Sequence, residues 1–424
     1  MTIAVERTIL DPRPPSALGL HLGDEELRSD PYPTWDWLRT NDPVHRTAHR
    51  SFLLTRYEDC AAALRDRRLS SDMRNATADV YTEESDVIGS VTFRPSLFYE
   101  VPDGAPSRPF IFRDPPEHDR LRRAALPAFR PLAMRNLASR VDEVASSLVD
   151  DAIARERFDA VADIAYPLPV TIICDLLGIP DDARALIHVS AGDVGALIDA
   201  GDVRTRAERE RTRSGLMNAI TTMAILIAAR QTEPADDLVS HLVAEGLSPE
   251  DMIATVTLLL VAGHETTVNL IANATLALLT HPDELDRLVA DQELIPDAIE
   301  EFIRYDAPVQ IVARVAIEDM ELHGKRIAAG DQVLVCIGAA NRDPERFDDA
   351  HVLDVTRPEA KHHLGFGAAL HYCLGAPLAR MEATAVLRRL VPHLRHYRIA
   401  EAPTWRPVSS LRSLSALHLR AEGP

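Results

Sequence analysis

The residue types with the most chemical potential gather around one thiol. Cys373 lies in Phe366-Gly367-Ala368-Ala369-Leu370-His371-Tyr372-Cys373-Leu374-Gly375-Ala376-Pro377. This run of small residues opens onto a segment, Leu374 to Val391, that carries Ala379, Ala383, Val386 and Leu390 at helical spacing. Pro377 suits a first helical turn, where the missing N–H would have no partner anyway. A cysteine just ahead of a helix meets unsatisfied N–H groups and the positive end of the dipole, and both favour thiolate over thiol. The small neighbours leave room for a large planar ligand against the backbone. This combination suits a sulfur ligand to a metal.

A second constellation is Ala262-Gly263-His264-Glu265-Thr266-Thr267, inside the longest helical pattern of the chain. A carboxylate and a hydroxyl buried in mid-helix are costly without a partner or a purpose. Thr266 can donate to the carbonyl of Ala262 one turn back and bend the helix. Gly263 would let a flat ligand approach the backbone. On its own the pattern reads equally well as a core helix weakened by Gly, with Glu265 on the surface. His264 and Glu265 do not begin a His-Glu-x-x-His zinc motif, because the fifth position is Val268. Nor do His362, His363, His371 and Cys373 match a structural zinc spacing. Glu301 and Arg304 form Glu-x-x-Arg, by itself an ordinary i,i+3 helix pair.

Several elements must hold these groups. Ser248-Pro249-Glu250-Asp251 is a capping-box-like start with Pro at the first helical position. The helix it opens runs to about Thr280, before His281-Pro282, and spans about 48 Å at 1.5 Å per residue. Its middle is apolar nearly all round, which predicts a central, buried position. A following helix, Pro296 to Tyr305, buries Ile299, Phe302 and Ile303 and stops at Pro308. Val309 to Val335 predicts short antiparallel strands with turns at His323-Gly324 and Gly330-Asp331. Val44 to Arg56 predicts two short extended runs around residues 49–51, then a helix from Tyr57 to Asp66. Residues 70–116 read mostly as loop, with Tyr81, Phe93, Phe98, Tyr99, Phe110 and Phe112 scattered through it.

The chain has 424 residues, 46% of them apolar, enough for a large core. No internal repeat or flexible linker divides it, so residues 1–424 are expected to form a single domain. Met1 to Leu20 is polar and interrupted by Pro12, Pro14 and Pro15, and predicts neither a secretory signal nor an anchor. The longest uncharged apolar stretch, Met252 to Gly263, is too short to span a bilayer. A net charge of −19 argues against nucleic acid as a partner. Four scattered cysteines with no CxxC pair fit a reducing compartment, so a cytoplasmic location is expected, with no membrane.

With these residues in place the chain resembles the cytochrome P-450 family, of soluble bacterial type. The family's haem-binding signature, Phe-x-x-Gly-x-(His/Arg)-x-Cys-x-Gly, is matched by Phe366, His371, Cys373 and Gly375. Ala369 stands where the family usually has Gly, which predicts a small packing shift in the loop. The Cys loop, the long-helix motif, Glu-x-x-Arg and Asn341-Arg342-Asp343-Pro344 occur in family order, over about residues 30–420. The resemblance implies a mainly α fold with small β-sheets (α+β) and a long central helix over the haem. The β-rich parts would cover about 40–60 and 309–360, and the helical parts about 116–308 and 374–392.

The implied cofactor is heme b with Cys373 as axial ligand, near Ala262, Gly263, Phe366, Gly367 and Gly375. His118, Arg122, Arg314 and His371 fall at the family's usual places for partners of the haem propionates, with His363 a weaker fifth candidate. Singly, each is an ordinary solvated or capping side chain. Glu265 and Thr266 match the family's acid–alcohol pair, which routes protons to O₂. Arg357 would join Glu301 and Arg304 in a structural brace. The implied reaction inserts one oxygen atom of O₂ into an apolar, medium-sized molecule: terpenoid, steroid, polyketide or fatty acyl. Its pocket walls would come from Val91 to Phe98, Ile187 to Leu197, Leu258 to Ala262, Val309 to Val312 and Leu414. Electrons would arrive from a separate ferredoxin and ferredoxin reductase, with Arg113, Arg120, Arg123, Arg130 and Arg380 as a basic docking face. An oxidative-coupling or dehydrogenating enzyme would share these motifs. A peroxide-driven relative would not need Glu265 and Thr266, and a haem-based sensor would need a signalling partner.

Overall fold

In the computed structural model, residues 29–47, 51–77, 108–184, 206–406 and 410–422 are described, together with residues 27, 186 and 187. The described part begins with α1 (Tyr32–Asn41), β1 (Val44–Arg46), β2 (Phe52–Leu54), α2 (Tyr57–Ala63) and β3 (Leu69–Ser70). There follow α3 (Glu117–Ala125), α4 (Pro131–Ile153), β4 (Arg157–Asp159), α5 (Pro167–Leu177), α6 (Arg206–Thr232) and α7 (Leu238–Ala244). The centre of the chain holds α8 (Pro249–Thr280), α9 (Pro282–Ala290) and α10 (Ile295–Tyr305). Strands β5 (Ile311–Ala316), β6 (Met320–Leu322), β7 (Lys325–Ile327) and β8 (Gln332–Cys336) come next. The chain closes with α11 (Ala376–Leu394), β9 (Tyr397–Ile399), β10 (Thr404–Trp405), β11 (Leu414–Ala416) and β12 (His418–Ala421).

Helix α8 forms where the cap predicts it. The Ser248 side chain accepts from the Asp251 N–H at 3.1 Å, and Pro249 occupies the first turn. Its core residues include Val256, Leu258, Leu260, Leu270, Ile271 and Leu278. Burying one such side chain contributes about 1.5–3 kcal/mol, so burial outweighs the roughly 1 kcal/mol that Gly263 costs the helix. By length and composition Ala160–Leu177 and Pro249–Thr280 could each cross a bilayer, which differs from the expectation drawn from the shorter stretch Met252 to Gly263. However, 78% of the most apolar window of α8 lies inside the protein, the signature of a core helix. It shares one core with Ile173 of α5, Val141 of α4, and Val386 and Leu387 of α11.

The main sheet has the order β1-β2-β8-β5-β3. Strands β5 and β8 are antiparallel, with Val312 opposite Val335, and β6 pairs with β7 in the same sense, as the turns predict. Strand β2 joins β8 in parallel, Phe52 opposite Val333, a pairing across 281 positions that local pattern does not reveal. Every residue of β8 is buried, as befits a strand covered on both faces. Strand β4 lies within the part expected to be helical. It pairs with β12, which is also paired with β9, because the polar turn before it releases the chain into an edge strand. Helix α11 runs three residues past Val391, with Pro392 in its last turn.

Candidate active site

The loop from Phe366 to Gly375 is held by its own backbone. The Cys373 N–H donates to the Phe366 carbonyl at 2.8 Å, and Gly367 adopts a left-handed φ of +70° that closes the turn. Ala369 also lies in the left-handed region, at φ +52°, and is exposed. The departure from the family pattern at this position therefore appears as backbone strain at the surface rather than the expected packing shift. Gly375 is the N-cap residue of α11, and Pro377 sits in the first turn.

Burial pushes the Cys373 thiol up, against the N–H groups of Gly375 and Ala376 and the charges of Arg122 and Arg380, which pull it down. The helix-end effect expected from sequence is present, but desolvation exceeds it. A metal would take the place of the proton, since the thiolate is the ligand form.

Within α8, Thr266 Oγ1 donates to the Ala262 carbonyl at 3.3 Å, the bond to the preceding turn that the sequence predicts. Glu265 is 1% exposed, which removes the reading of a surface carboxylate. Its partner is one that sequence reasoning missed: Arg406, just past β10, donates from Nη1 to Glu265 Oε1. Nothing in the sequence near Arg406 signals this role, because the two residues are 141 positions apart. His264 Nδ1 donates to the Leu260 carbonyl at 2.7 Å, and its Nε2 stands 3.8 Å from Glu265 Oε2. A Cβ on Gly263 would lie 3.0 Å from Ile173 Cδ1, so the missing side chain at this position serves the packing of α8 on α5. On the neighbouring face the buried Glu382 of α11 stands near Thr267, and burial holds its carboxyl well above the usual range.

The four cationic or imidazole side chains converge. The His118 and His371 rings lie 4.4 Å apart, and His371 Nε2 is 3.0 Å from Ser71 Oγ. His118 is fully buried, with Nδ1 2.8 Å from Asp119 Oδ1, and its Nε2 has no hydrogen-bond partner among the described residues. Arg122 donates to the Tyr372 carbonyl at 2.6 Å and so ties α3 to the Cys loop. Arg314 donates to the Ala313 carbonyl at 2.7 Å and makes no ion pair among the described residues. Burial lowers the Arg314 guanidinium to about 10, with Asp114 acting the other way. Burial lowers His371 to about 3, with help from Arg314, His118 and Arg122. An orphaned imidazole nitrogen and a buried, unpaired guanidinium beside it fit an anionic group such as the two propionates of haem.

Other expectations are redirected. His363 points to Glu300, with Nε2 at 3.3 Å from Oε2, and its Nδ1 accepts from the Gly365 N–H at 2.9 Å, so it is engaged away from the propionate cluster. Arg113 is buried against Asp251 at 2.9 Å and cannot serve an exposed docking face. Arg120 shares Asp251, while Arg123 and Arg130 are exposed. Arg380 is tied to Glu300 at 2.6 Å. Val91 to Phe98 and residues 188–197 lie outside the described residues, as do Tyr81, Phe93, Phe98 and Tyr99.

The brace is present in full. Arg304 donates to Glu301 from Nε at 2.6 Å and Nη2 at 2.8 Å, and to the carbonyls of Asn341, Ala350 and Val352. Arg357 adds a bond to Glu301 at 3.3 Å and others to Asp349 and Val352. Asn341 accepts from the Leu364 N–H at 2.7 Å, which carries the brace into the approach to the Cys loop.

Residues 203–418 match the family described as Cytochrome P450. The chain is 35% identical to cytochrome P450 monooxygenase PikC of Streptomyces venezuelae over 422 residues, 96% of this chain and 94% of that one. The chain belongs to the cytochrome P450 family. Its structure matches the Bacillus subtilis bacillaene polyketide synthase cytochrome P450 PksS with a TM-score of 0.82 at 32% identity, covering 95% of this chain and all of that one. It matches P450BioI in complex with acyl carrier protein carrying hexadec-9Z-enoic acid with a TM-score of 0.81 at 31% identity, covering 94% and 99%. This cytochrome P450 is a haem-thiolate monooxygenase of the bacterial kind, and its fold is the α+β P450 fold anticipated from the motifs.

Proposed function

We propose that the chain inserts one oxygen atom from O₂ into an apolar, medium-sized molecule of the polyketide or fatty-acyl class, as a single cytoplasmic domain that carries heme b on Cys373. The observation that supports this reading best is the thiol at the start of α11 in a loop tied to α3 through Arg122, together with the orphaned Nε2 of buried His118, whose ring lies 4.4 Å from that of His371 in the same loop. When bound, a thiolate-ligated haem supplies O₂ reduction and O–O cleavage. His118, Arg122, Arg314 and His371 hold the propionates. Phe366, Gly367 and Gly375 shape the loop, and Ala262 and Gly263 would also help to hold the group. Thr266 Oγ1 gives up its bond to the Ala262 carbonyl and passes a proton inward, and Glu265 resupplies it while Arg406 steadies the carboxylate.

Leu258 to Ala262, Val309 to Val312 and Leu414 are aliphatic except for Gln310 and support an apolar substrate. The printed names of PksS and of the P450BioI complex support the polyketide and acyl classes, and a carrier-protein-bound substrate is consistent with the latter. Electrons come from a separate ferredoxin and its reductase. The docking surface uses Arg123 and Arg130, which are exposed, and their reversal to Glu is expected to slow reduction.

The deciding experiment is the absorption spectrum of purified protein, reduced and saturated with carbon monoxide, for wild type and Cys373→Ser. A strongly red-shifted Soret band that vanishes in Cys373→Ser is expected. The band of a histidine-ligated haem in wild type would overturn the ligand assignment.

A further inference from the structure

Phe366 is the point at which the Cys loop is gripped from outside. Its carbonyl holds the Cys373 N–H, and its ring is surrounded. The Arg380 guanidinium lies 4.4 Å from the ring centroid, the His363 ring 5.5 Å and the Tyr372 ring 6.2 Å away. One carboxylate joins these groups. Glu300 of α10 accepts from Arg380 Nε at 2.6 Å and Nη2 at 2.8 Å, and stands 3.3 Å from His363 Nε2. Arg380 also reaches the Tyr372 hydroxyl at 3.4 Å. The Glu300 side chain is 14% exposed, so this pair is screened by water less than a surface pair would be.

The pair is a fixed charge arrangement against the Cys loop, through Phe366 and Tyr372. Arg380 lies against the ring of Phe366, whose carbonyl holds the Cys373 N–H, and Arg122 holds the carbonyl of Tyr372, the residue before Cys373. With Glu300 on two of its nitrogens, Arg380 presents a dipole rather than a bare positive charge. We propose that Glu300 and Arg380 are positioning residues that hold Phe366 over the Cys loop and set the charge felt at Cys373, and so the reduction potential of the group that Cys373 ligates. This rests on the haem-thiolate reading. The physical reason is Coulombic: reduction adds an electron, so a neighbourhood made more positive favours the reduced state. Removing the carboxylate and removing the guanidinium therefore act in opposite directions. A purely mechanical brace would give the same sign for both, because either loss loosens the same loop.

The test is a redox titration of the full haem-loaded chain for wild type, Glu300→Gln, Arg380→Gln and the double variant, followed by absorption. The carbon-monoxide band is recorded first, so that loss of the thiolate-ligated haem is seen separately from any change of potential. Glu300→Gln is expected to raise the reduction equilibrium constant by about tenfold, roughly 59 mV for a one-electron couple. Arg380→Gln is expected to lower it by a similar factor, with the double variant between them. Shifts of the same sign in both single variants, or no shift in either, would overturn the proposal. If a Gln variant fails to take up haem, Glu300→Asp and Arg380→Lys decide the matter. These keep the charges and must stay within about threefold of wild type, and a larger shift would refute the electrostatic account.

Discussion

Ala369→Gly should stabilise the protein, although it removes a side chain. The residue has φ +52°, in the region where an L side chain crowds the following carbonyl at a cost of about 1–2 kcal/mol. It is exposed, so its methyl contributes no burial. Against the relief stands the extra freedom of Gly in the unfolded chain, about 0.4–1 kcal/mol. The net expectation is a gain of about 0.5–1 kcal/mol. In a chain of this length that is a rise of roughly 0.5–1 °C in midpoint, because the entropy of unfolding grows with size. Gly367→Ala is the matched opposite. It imposes a side chain at φ +70°, and its Cβ would meet the His371 carbonyl oxygen at 3.3 Å, so a loss of about 1 kcal/mol or more is expected. The assay is denaturant and thermal unfolding of the holoprotein, followed both at the Soret band and by far-ultraviolet circular dichroism. A loss of stability in Ala369→Gly, or a neutral Gly367→Ala, would refute the strain argument for this loop.

Three other outcomes follow from the geometry. Glu301→Gln leaves Arg304 and Arg357 short of their shared buried carboxylate and should cost about 3–5 kcal/mol, read as a lower denaturant midpoint with unchanged far-ultraviolet signal before the transition. Gly263→Ala gains about 1 kcal/mol of helix propensity but forces a contact with Ile173 Cδ1. It should therefore destabilise wild type and become neutral or stabilising in an Ile173→Val background, and a double-mutant cycle with no coupling would contradict this. Glu300 is pushed down to about 2 because bonds from Arg380 and His363 outweigh the burial that opposes them. A lowered folded-state value adds stability above the ordinary 4.5 and loses it as pH falls toward 2, so Glu300→Gln should flatten the stability profile in that window.

What was legible in the sequence was what neighbouring residues decide. Ser248-Pro249 and His281-Pro282 bound α8 by local sterics and capping, and both ends fall where they predict. Thr266 reaches Ala262 because four residues make one helical turn. The Glu301, Arg304 and Arg357 brace was foreseen through the family motif, with its carbonyl partners left to the structure. What depends on distant segments was hidden. Arg406 reaches Glu265 from a hairpin, Arg113 turns inward because Asp251 waits at the start of α8, and β2 finds β8 from far along the chain. Cys373 illustrates competition of magnitudes. The helix-end groups were correctly anticipated, but the depth of burial that opposes them is a tertiary property.

The pairing of Glu265 with Arg406 also sets a timetable. The helix that carries the buried carboxylate is made 141 residues before the guanidinium that neutralises it, and at about 5–20 residues per second the ribosome needs roughly 7–30 s to bridge that gap. The same late segment brings Arg412, whose carbonyl accepts from Asn273 of α8 at 3.0 Å and whose guanidinium donates to the Ser29 carbonyl at 2.9 Å, 383 positions away. Until this hairpin emerges, the central helix has an uncompensated charge and an untied amide, and the first and last parts of the chain have not met. A nascent chain halted between residues 281 and 405 would hold every element of the oxygen-side helix and still be unable to bury it at low cost. Such an intermediate is a natural client for chaperones, and burial of the central helix is thereby coupled to completion of the protein.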